Sequence, residues 1–493
     1  MSQPPRPPRR PANQPPADSP NRGDRPDRPA GGRPPRRGGP GGGRPPRIGG
    51  PGSRPPGRGP RPPRGPHGGD GITPGTPTDP AVAGLGPVSG ELIDTTIERI
   101  VPGGDGIAHG GGLTIFVPLT APGDEVRVEI DRRRGQVAWG KVTQLTTPGA
   151  HRSEPPCKFF GVCGGCDLQQ LDYAGQLTAK VDIVRDCLTR IGRLEAPEDL
   201  VVVPSPDPLG YRHVAEWAID SRNRRIGYRI RGTHDVLDVD HCPILTGQLN
   251  GVLADLRERQ AMGLIPPGID EIRGLAGDDG PGISPALGSQ NAPELSIRVG
   301  DDTFHYDASV FFQANGLLLE ELINEALWQA DPVKHKDPEA PLSGDGKGFV
   351  IDLYAGVGLF SVPLARRYRR VVAVEGFGGA TRWTRRNLRD AGLSHAKVET
   401  ERVESWLARR GPALVGASLV VLDPPRTGVT PEAVEGILAM EPRRISYVSC
   451  DPATQTRDLK ALVAGGYRLE RVVALDMFPQ THHVEVVAHL VKA

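Results

Sequence analysis

Apolar and polar positions alternate in four short runs between Gly90 and Thr147: ELIDTTIERIV, LTIFVPL, DEVRVEI and QVAWGKVTQL. The turn-rich stretches GGDG, APGD and RRRG separate them. Short alternating strands at this spacing predict a small β-barrel. A helix is predicted from about Tyr173 to Ile191, followed by β-rich segments through YRHVAEWAID and RIGYRI. The Gly/Pro-rich run from about Leu264 to Asn291 reads as a surface loop. Past Phe304 the pattern turns to a helix from about Leu317 to Ala330 and then to apolar runs of strand length. VIDLY, VVAVE, LVVLD, ISYVS and VEVVAHLVK alternate there with helical periodicity. That alternation predicts an open, mainly parallel α/β sheet of Rossmann-like type.

Length and charge add a tail to this picture. A chain of 493 residues fits about three domains. Residues 1–87 are Pro, Gly and Arg with almost no large apolar side chains, so they cannot offset the entropy of ordering and are expected to be a disordered arm. Residues 1–70 hold 15 Arg, no Lys and 4 Asp, a charge of +11, and since the whole chain sums to +1 the remainder carries −10. A basic arm on a mildly acidic body is the asymmetry of a protein that meets a polyanion. The expected division is an arm at 1–87, the barrel at 88–148, a central α+β domain at 149–300 and the α/β domain at 301–493. No apolar run reaches the roughly 18 residues of a membrane span, and Met1 to Asp70 has no apolar core of a secretory signal. A cytoplasmic monomer is expected, and six cysteines are too few for a disulfide scaffold.

Clustered cysteines in a reducing compartment point to metal or to nucleophilic chemistry. Cys157, Cys163 and Cys166 form a C-x5-C-x2-C array, and Cys242 follows in DHCPIL. Four thiolates suit an iron-sulfur cluster or structural zinc, and spacing does not choose between them. The glycines between Cys163 and Cys166 let backbone amides turn towards sulfur. Cys187 falls in a helical run and reads as a core residue.

VIDLYAGVGLFSVPLA reads as strand, glycine turn and helix, with Asp352 at the strand end and Tyr354 opening the turn. Gly356 and Gly358 permit the close backbone approach a bound nucleoside needs. The missing third glycine of GxGxxG argues against pyrophosphate. About 20 residues on, Glu375 ends the next strand, where a carboxylate accepts ribose hydroxyls, so an adenosine cofactor is expected. LVVLDPPRTG puts Asp423 at a strand end before two prolines that fix a rigid turn able to line a base pocket. The same turn would equally suit an amino-group methyltransferase acting on adenine or cytosine.

Two resemblances organise these residues. GGDGIAHGGGLTIFVP with the APGDEV turn resembles a TRAM domain, an OB-like RNA-binding barrel, with Arg127, Arg132, Arg133, Arg134 and Lys141 as a basic edge. CKFFGVCGGCDLQQ, the distant HCP, DLYAGVGLF, DPPRTG, YVSCDP and THHVEVVAHL together resemble the bacterial RNA uridine-5-methyltransferases. The resemblance implies a 4Fe-4S cluster on Cys157, Cys163, Cys166 and Cys242, S-adenosylmethionine (SAM) as methyl donor, and RNA as substrate. In DASVFFQAN it implies Gln313 as a SAM contact and Phe311 as a stacking partner for the target base. Carbon 5 of uracil is a poor nucleophile until a thiolate adds at carbon 6, and a base must later remove the carbon-5 proton. The resemblance assigns the thiolate to Cys450 and the base to Glu485; the neighbouring His482 and His483 read as supports, Asp423 as a contact to the uracil edge or the methyl donor, and Arg426 as a phosphate contact. Barrel and cysteine cluster together favour ribosomal over transfer RNA. ETERVESWLA lacks the Asp expected beside the adenine. An amino-methyltransferase and an inactive iron-sulfur RNA-binding protein are the competing readings.

Overall fold

Val126, Val128 and Ile130 are buried while Glu125, Arg127 and Glu129 face outward, the two-residue period of a strand with one face on a core. The computed structural model describes residues 90–288, 293–328 and 348–493; the arm expected at 1–87 and the stretch 331–347 lie outside them. Strands β1 (Leu92–Ile100), β2 (Gly106–Gly110), β3 (Leu113–Val117), β4 (Glu125–Arg134) and β5 (Val137–Thr147) close a barrel in the order β1-β2-β3-β5-β4. The alternation predicted four of these five. β2, the sequence GIAHG, is too short and too rich in glycine to show it, yet glycine is what the barrel needs there. A Cβ at Gly106 would fall 2.2 Å from Thr120 Oγ1 and 2.8 Å from Ile97 Cγ2.

Helix α1 (Tyr173–Asp186) is capped by the Asp172 carboxylate, which accepts from the Gly175 amide at 2.7 Å, and it runs on into a π turn at Cys187–Gly192. Beyond strand β6 (Val202–Val203), a sheet of order β11-β10-β7-β8-β9 is built from β7 (Val214–Asp220), β8 (Arg225–Arg229), β9 (Val236–Asp238), β10 (Glu271–Gly277) and β11 (Gly280–Ser284). Helix α2 (Gly247–Ala261) packs on it through Leu249, Leu253 and Leu256. The surface loop expected from Leu264 to Asn291 is therefore wrong over 271–284, where Ile272, Leu275 and Ala276 are buried. The glycines that suggested a loop serve the core instead. A Cβ at Gly274 would meet the Trp217 ring at 2.5 Å. Residues 289–291 lie outside the described residues.

A hairpin of β12 (Glu294–Val299) and β13 (Asp302–Asp307) leads to α3 (Leu319–Ala326), which a single 3-10 turn at Gly316–Leu318 precedes. The remaining chain contains β14 (Val350–Leu353), α4 (Ser361–Arg367), β15 (Val371–Glu375), α5 (Gly378–Asp390), β16 (Lys397–Thr400), α6 (Val403–Arg410) and β17 (Leu419–Leu422). Then come α7 (Pro431–Met440), β18 (Arg444–Ser449), α8 (Pro452–Ala464), β19 (Tyr467–Leu475) and β20 (Glu485–Lys492). Their strands form one sheet with β6, in the order β16-β15-β14-β17-β18-β20-β19-β6. β14 to β18 run parallel, and β20 is antiparallel to both β18 and β19. Successive residues feed opposite cores: Val350, Leu419 and Val421 pack on one face, Ile351, Val420 and Leu422 on the other. Val184, Leu188 and Val202 belong to that second core, so α1, the π turn and β6 pack on this sheet although the barrel precedes them directly in the chain.

Candidate active site and cysteine cavity

The strand order reverses between β14 and β17, the switch point where open α/β sheets bind ligands beyond the carboxyl ends of their strands. Leaving β14, Tyr354 takes a left-handed φ of 62°, costly for a non-glycine residue, and its hydroxyl donates to Glu404 Oε1 at 3.4 Å. Gly356 (φ 56°) and Gly358 (φ 93°) complete the turn. The Glu375 carboxylate at the end of β15 accepts from the Gly356 amide at 3.0 Å and the Phe377 amide at 2.7 Å. Thr384 and Asn387 of α5 donate to the Gly356 and Val357 carbonyls at 2.7 and 2.9 Å. The turn is thus held open from two sides, its rim a carboxylate and a bare glycine backbone. Beneath it Asp352 accepts from the Ser361 hydroxyl, and burial pushes its carboxyl up to about 7.

Past β17, Asp423 accepts from Gln313 Nε2 at 3.0 Å. Burial and then the Asp352 charge hold the Asp423 carboxyl above the usual range, and the Gln313 hydrogen bond opposes them. The DPPRTG turn is clamped by α8: Thr454 Oγ1 donates to the Arg426 carbonyl at 2.9 Å, and Asp458 Oδ2 accepts from the Val429 amide at 2.9 Å. Cys450 lies between β18 and α8, whose amino end is capped by Asp451 accepting from the Thr454 amide at 2.9 Å, with Pro452 at the first helical position. Because β20 is antiparallel and pairs Ser449 with Val486, its first residue, Glu485, arrives at the edge from which Cys450 leaves. The buried Gln455 side chain fixes that register, donating to the Tyr447 carbonyl at 2.8 Å on β18 and the Val486 carbonyl at 2.9 Å on β20.

The electrostatics of this edge follow from desolvated acids beside a thiol. Burial pushes the Cys450 thiol up to about 12; the Glu485 charge adds to the push and Arg426 opposes it. Glu485, 1% exposed, is held well above the carboxylate range by burial first and Asp423 second. Burial thus disfavours charge on both groups, and an ionised Glu485 disfavours the Cys450 thiolate further. Phe311, beside Gln313, is 59% exposed, an aromatic face open to a stacking partner.

The other cysteines separate from Cys450. Cys157, Cys163, Cys166 and Cys242 line one cavity together with Gln169, Arg212 and Tyr228. Gly165 turns its amide onto Cys163 Sγ at 3.4 Å, as the glycine pair predicted. Gln169 Oε1 accepts from the Cys157 amide at 3.2 Å, and Asn250 Oδ1 accepts from the Cys242 amide at 3.0 Å. Burial raises the thiols of Cys163, Cys166 and Cys242. Among the described residues, no group of three or more His, Cys, Asp or Glu side chains is placed to hold a metal ion. Cys187 is buried in the π turn against α8.

Residues 89–143 match the TRAM domain family, and residues 414–493 match the family described as tRNA (Uracil-5-)-methyltransferase. A 23S rRNA (uracil(1939)-C(5))-methyltransferase of Pseudomonas putida is 33% identical over 439 residues, covering 80% of this chain and 92% of that protein. The chain belongs to the RNA uracil-5-methyltransferases. An uncharacterized RNA methyltransferase of Gloeobacter violaceus is 33% identical over 461 residues, 84% of this chain and 99% of that one. Pyrococcus abyssi tRNA (uracil-54, C5)-methyltransferase, solved in complex with S-adenosyl-L-homocysteine, has a TM-score of 0.61 and 25% identity, covering 81% of this chain and 100% of the other. In this RNA uracil-5-methyltransferase, a SAM-dependent enzyme, no helix of the described residues is long and apolar enough to cross a membrane.

The structure brings Gln313, Tyr354, Gly356, Glu375, Asp423, Cys450 and Glu485 to one edge of the methyltransferase sheet, and the cysteine tetrad to a separate cavity. Sequence reasoning passed over Gln455 although it lies within YVSCDPATQTRDL. Its signal was a polar residue sharing a helical face with Leu459 and Leu462, all three buried. Asp167, which accepts from the His482 backbone amide at 2.7 Å, gave no signal beyond its position next to Cys166.

Proposed function

We propose that this enzyme converts a uridine of large-subunit ribosomal RNA to 5-methyluridine through a covalent adduct at Cys450, with Glu485 as the base that resolves it. The observation that carries the reading is the Ser449 to Val486 register, which delivers a thiol and a buried carboxylic acid to the same edge as the Gly356/Glu375 turn. Bound SAM supplies an electrophilic methyl group. Cys450 as thiolate bonds to carbon 6, and the displaced electron pair makes carbon 5 the nucleophile that takes the methyl group. Cys450 is then a neutral thioether, which removes the charge that disfavours ionised Glu485. Glu485 takes the carbon-5 proton, the carbon-sulfur bond breaks, the ring double bond reforms, and Cys450 leaves as thiolate beside a protonated Glu485. One proton is released to solvent per turnover. Arg426 stabilises the thiolate at both ends of the cycle, and Gln313 with Asp423 shapes the pocket into which the base is flipped. Glu375 and Gly356 are the contacts for the adenosine end of the donor, with Tyr354 beside them.

Ribosomal RNA is favoured because the Pseudomonas relative named for 23S rRNA is 33% identical over 92% of its own length, against 25% identity to the Pyrococcus tRNA enzyme. The test is RNA carrying 5-fluorouridine, whose carbon-5 substituent no base can remove. With SAM, the wild-type chain is expected to stall as an RNA-protein adduct that survives denaturation, and Cys450→Ala forms none. Methyl transfer to fluorine-free RNA without any trapped adduct would remove Cys450 from the reaction.

The cysteine cavity offers four thiols, a donor set that suits a 4Fe-4S cluster or structural zinc. Cys157, Cys163, Cys166 and Cys242 would hold a 4Fe-4S cluster, and the Gly165 amide on Cys163 Sγ is the kind of contact that stabilises thiolate bound to iron. Its place outside the sheet edge makes it an organiser of local structure in this reading.

A further inference from the structure

The segment that follows Cys166 is stitched to the loop that precedes Glu485. The Asp167 and Leu168 amides donate to the Gln480 carbonyl at 3.2 and 3.1 Å. Asp167 Oδ1 accepts from the His482 amide at 2.7 Å, and Asp167 Oδ2 meets His482 Nδ1 at 2.5 Å. Gln176 closes the same loop from α1, accepting from the Gln480 amide at 2.9 Å and donating to Gln480 Oε1 at 3.1 Å. Gln480 itself is in the left-handed region, φ 72°, which a glutamine adopts only when its surroundings hold it there. On the far side, Arg231 Nη2 donates to the Cys166 carbonyl at 2.5 Å. The barrel turn also closes on this junction: a Cβ at Gly104 would lie 3.1 Å from His482 Nδ1 and 3.2 Å from Asp167 Cγ.

We infer that Asp167 is a positioning residue for the general base: it holds the 480–482 loop through His482, and that loop sets where Glu485 stands at the start of β20. The inference rests on the proposed role of Glu485. It assigns Asp167 to one half of the cycle. Cys450 is placed by β18 and the Asp451 cap on α8, so the position of the thiol that bonds to carbon 6 does not depend on Asp167. Removal of the carbon-5 proton is not, because Glu485 is three residues from His482 and no helix lies between them. A side chain that served stability alone would affect both halves alike.

The experiment compares Asp167→Ala, Asp167→Asn and Glu485→Gln with the wild type in single-turnover methylation of unmodified target RNA, measuring adduct formation and adduct decay separately. Hydrogen exchange of peptides spanning 476–486 is followed in parallel. Asp167→Ala is expected to form adduct within about threefold of the wild-type rate but to resolve it at least tenfold more slowly, so that adduct accumulates. Exchange at 480–485 rises while exchange in β17 and β18 is unchanged. Asp167→Asn keeps the shape and one acceptor oxygen and recovers part of the decay rate. Equal slowing of formation and decay, or unchanged exchange at 480–485, would overturn the inference. If Glu485→Gln resolves adduct at the wild-type rate, the base assignment fails, and the exchange data alone then decide whether Asp167 orders the loop.

Discussion

Gln313 and Asp423 lie 110 residues apart in the chain and are joined by a 3.0 Å hydrogen bond at the mouth of the methyltransferase sheet. The bond opposes the burial that otherwise drives the Asp423 carboxyl upward. Gln313→Leu leaves a desolvated acid without its donor, so the pH at which Asp423 ionises moves up. A hydrogen bond to a charged group contributes about 1.5–3 kcal/mol, equivalent to a loss of roughly 10- to 150-fold in kcat/KM. The pH-rate profile checks this: its lower limb should shift to higher pH in the variant, and an unshifted limb with reduced amplitude would place the effect elsewhere.

Glu485, the proposed base, also bears on stability because its buried charge is disfavoured. Its folded-state value lies above the ordinary 4.5, so the contribution it makes to stability is fully present below about that pH and is lost as pH rises through the folded value. Glu485→Gln removes the loss. The variant is expected to melt with the wild type near pH 4.5 and above it at pH 8, by about 2–4 °C for each kcal/mol recovered. Thermal melts across pH measure it, and a Glu485→Gln variant less stable at pH 8 contradicts the buried-acid account.

Glu375 anchors the glycine turn through two backbone amides. Glu375→Ala is expected to weaken S-adenosyl-L-homocysteine binding by about 10- to 100-fold, or 1.4–2.8 kcal/mol, in calorimetry. RNA affinity in filter binding should stay within about twofold, since Glu375 belongs to the glycine turn of the α/β sheet and not to the barrel. Equal losses in both assays would point to a collapsed turn.

The cysteines give a compositional test. Anaerobically isolated protein is expected to be brown and to contain iron and acid-labile sulfide in equal amounts. Cys157→Ser, Cys163→Ser, Cys166→Ser and Cys242→Ser should each lose most of both, and Cys187→Ser neither. Zinc in place of iron would sink the cluster assignment.

Much of this architecture was legible because its signals are local. Strand-length apolar runs marked β14, β15, β17, β18 and β20, and the carboxylates at their ends could be placed from the strands alone. β16 and β19 escaped. The outer strand β16, Lys397–Thr400, is polar at both ends and nowhere fully buried, and β19 begins Tyr-Arg-Leu-Glu-Arg before its apolar half, so neither reads as a core strand. Gly274 and Gly106 misled for the opposite reason: each is a glycine because a neighbour occupies the space of its Cβ, and a single sequence does not reveal a neighbour 57 or 14 residues away. The tetrad was already set apart from Cys450 by the motifs, and the fold adds that its four cysteines line one cavity. Asp167 and Gln455 act through partners distant in the chain, and no periodicity carries that information.

One consequence of the antiparallel β20 concerns insertions and deletions. Side chains on a strand alternate faces, so slipping β20 by one residue against β18 would turn Glu485 away from the Cys450 edge and present Val486 in its place. The hydrogen-bond ladder would survive such a slip; the chemistry would not. The loop from Asp476 to Val484 therefore behaves as a ruler whose length is under tighter constraint than its composition, and a chain that gained or lost a single residue there is expected to fold yet, with Glu485 as the proposed base, to stop at the adduct.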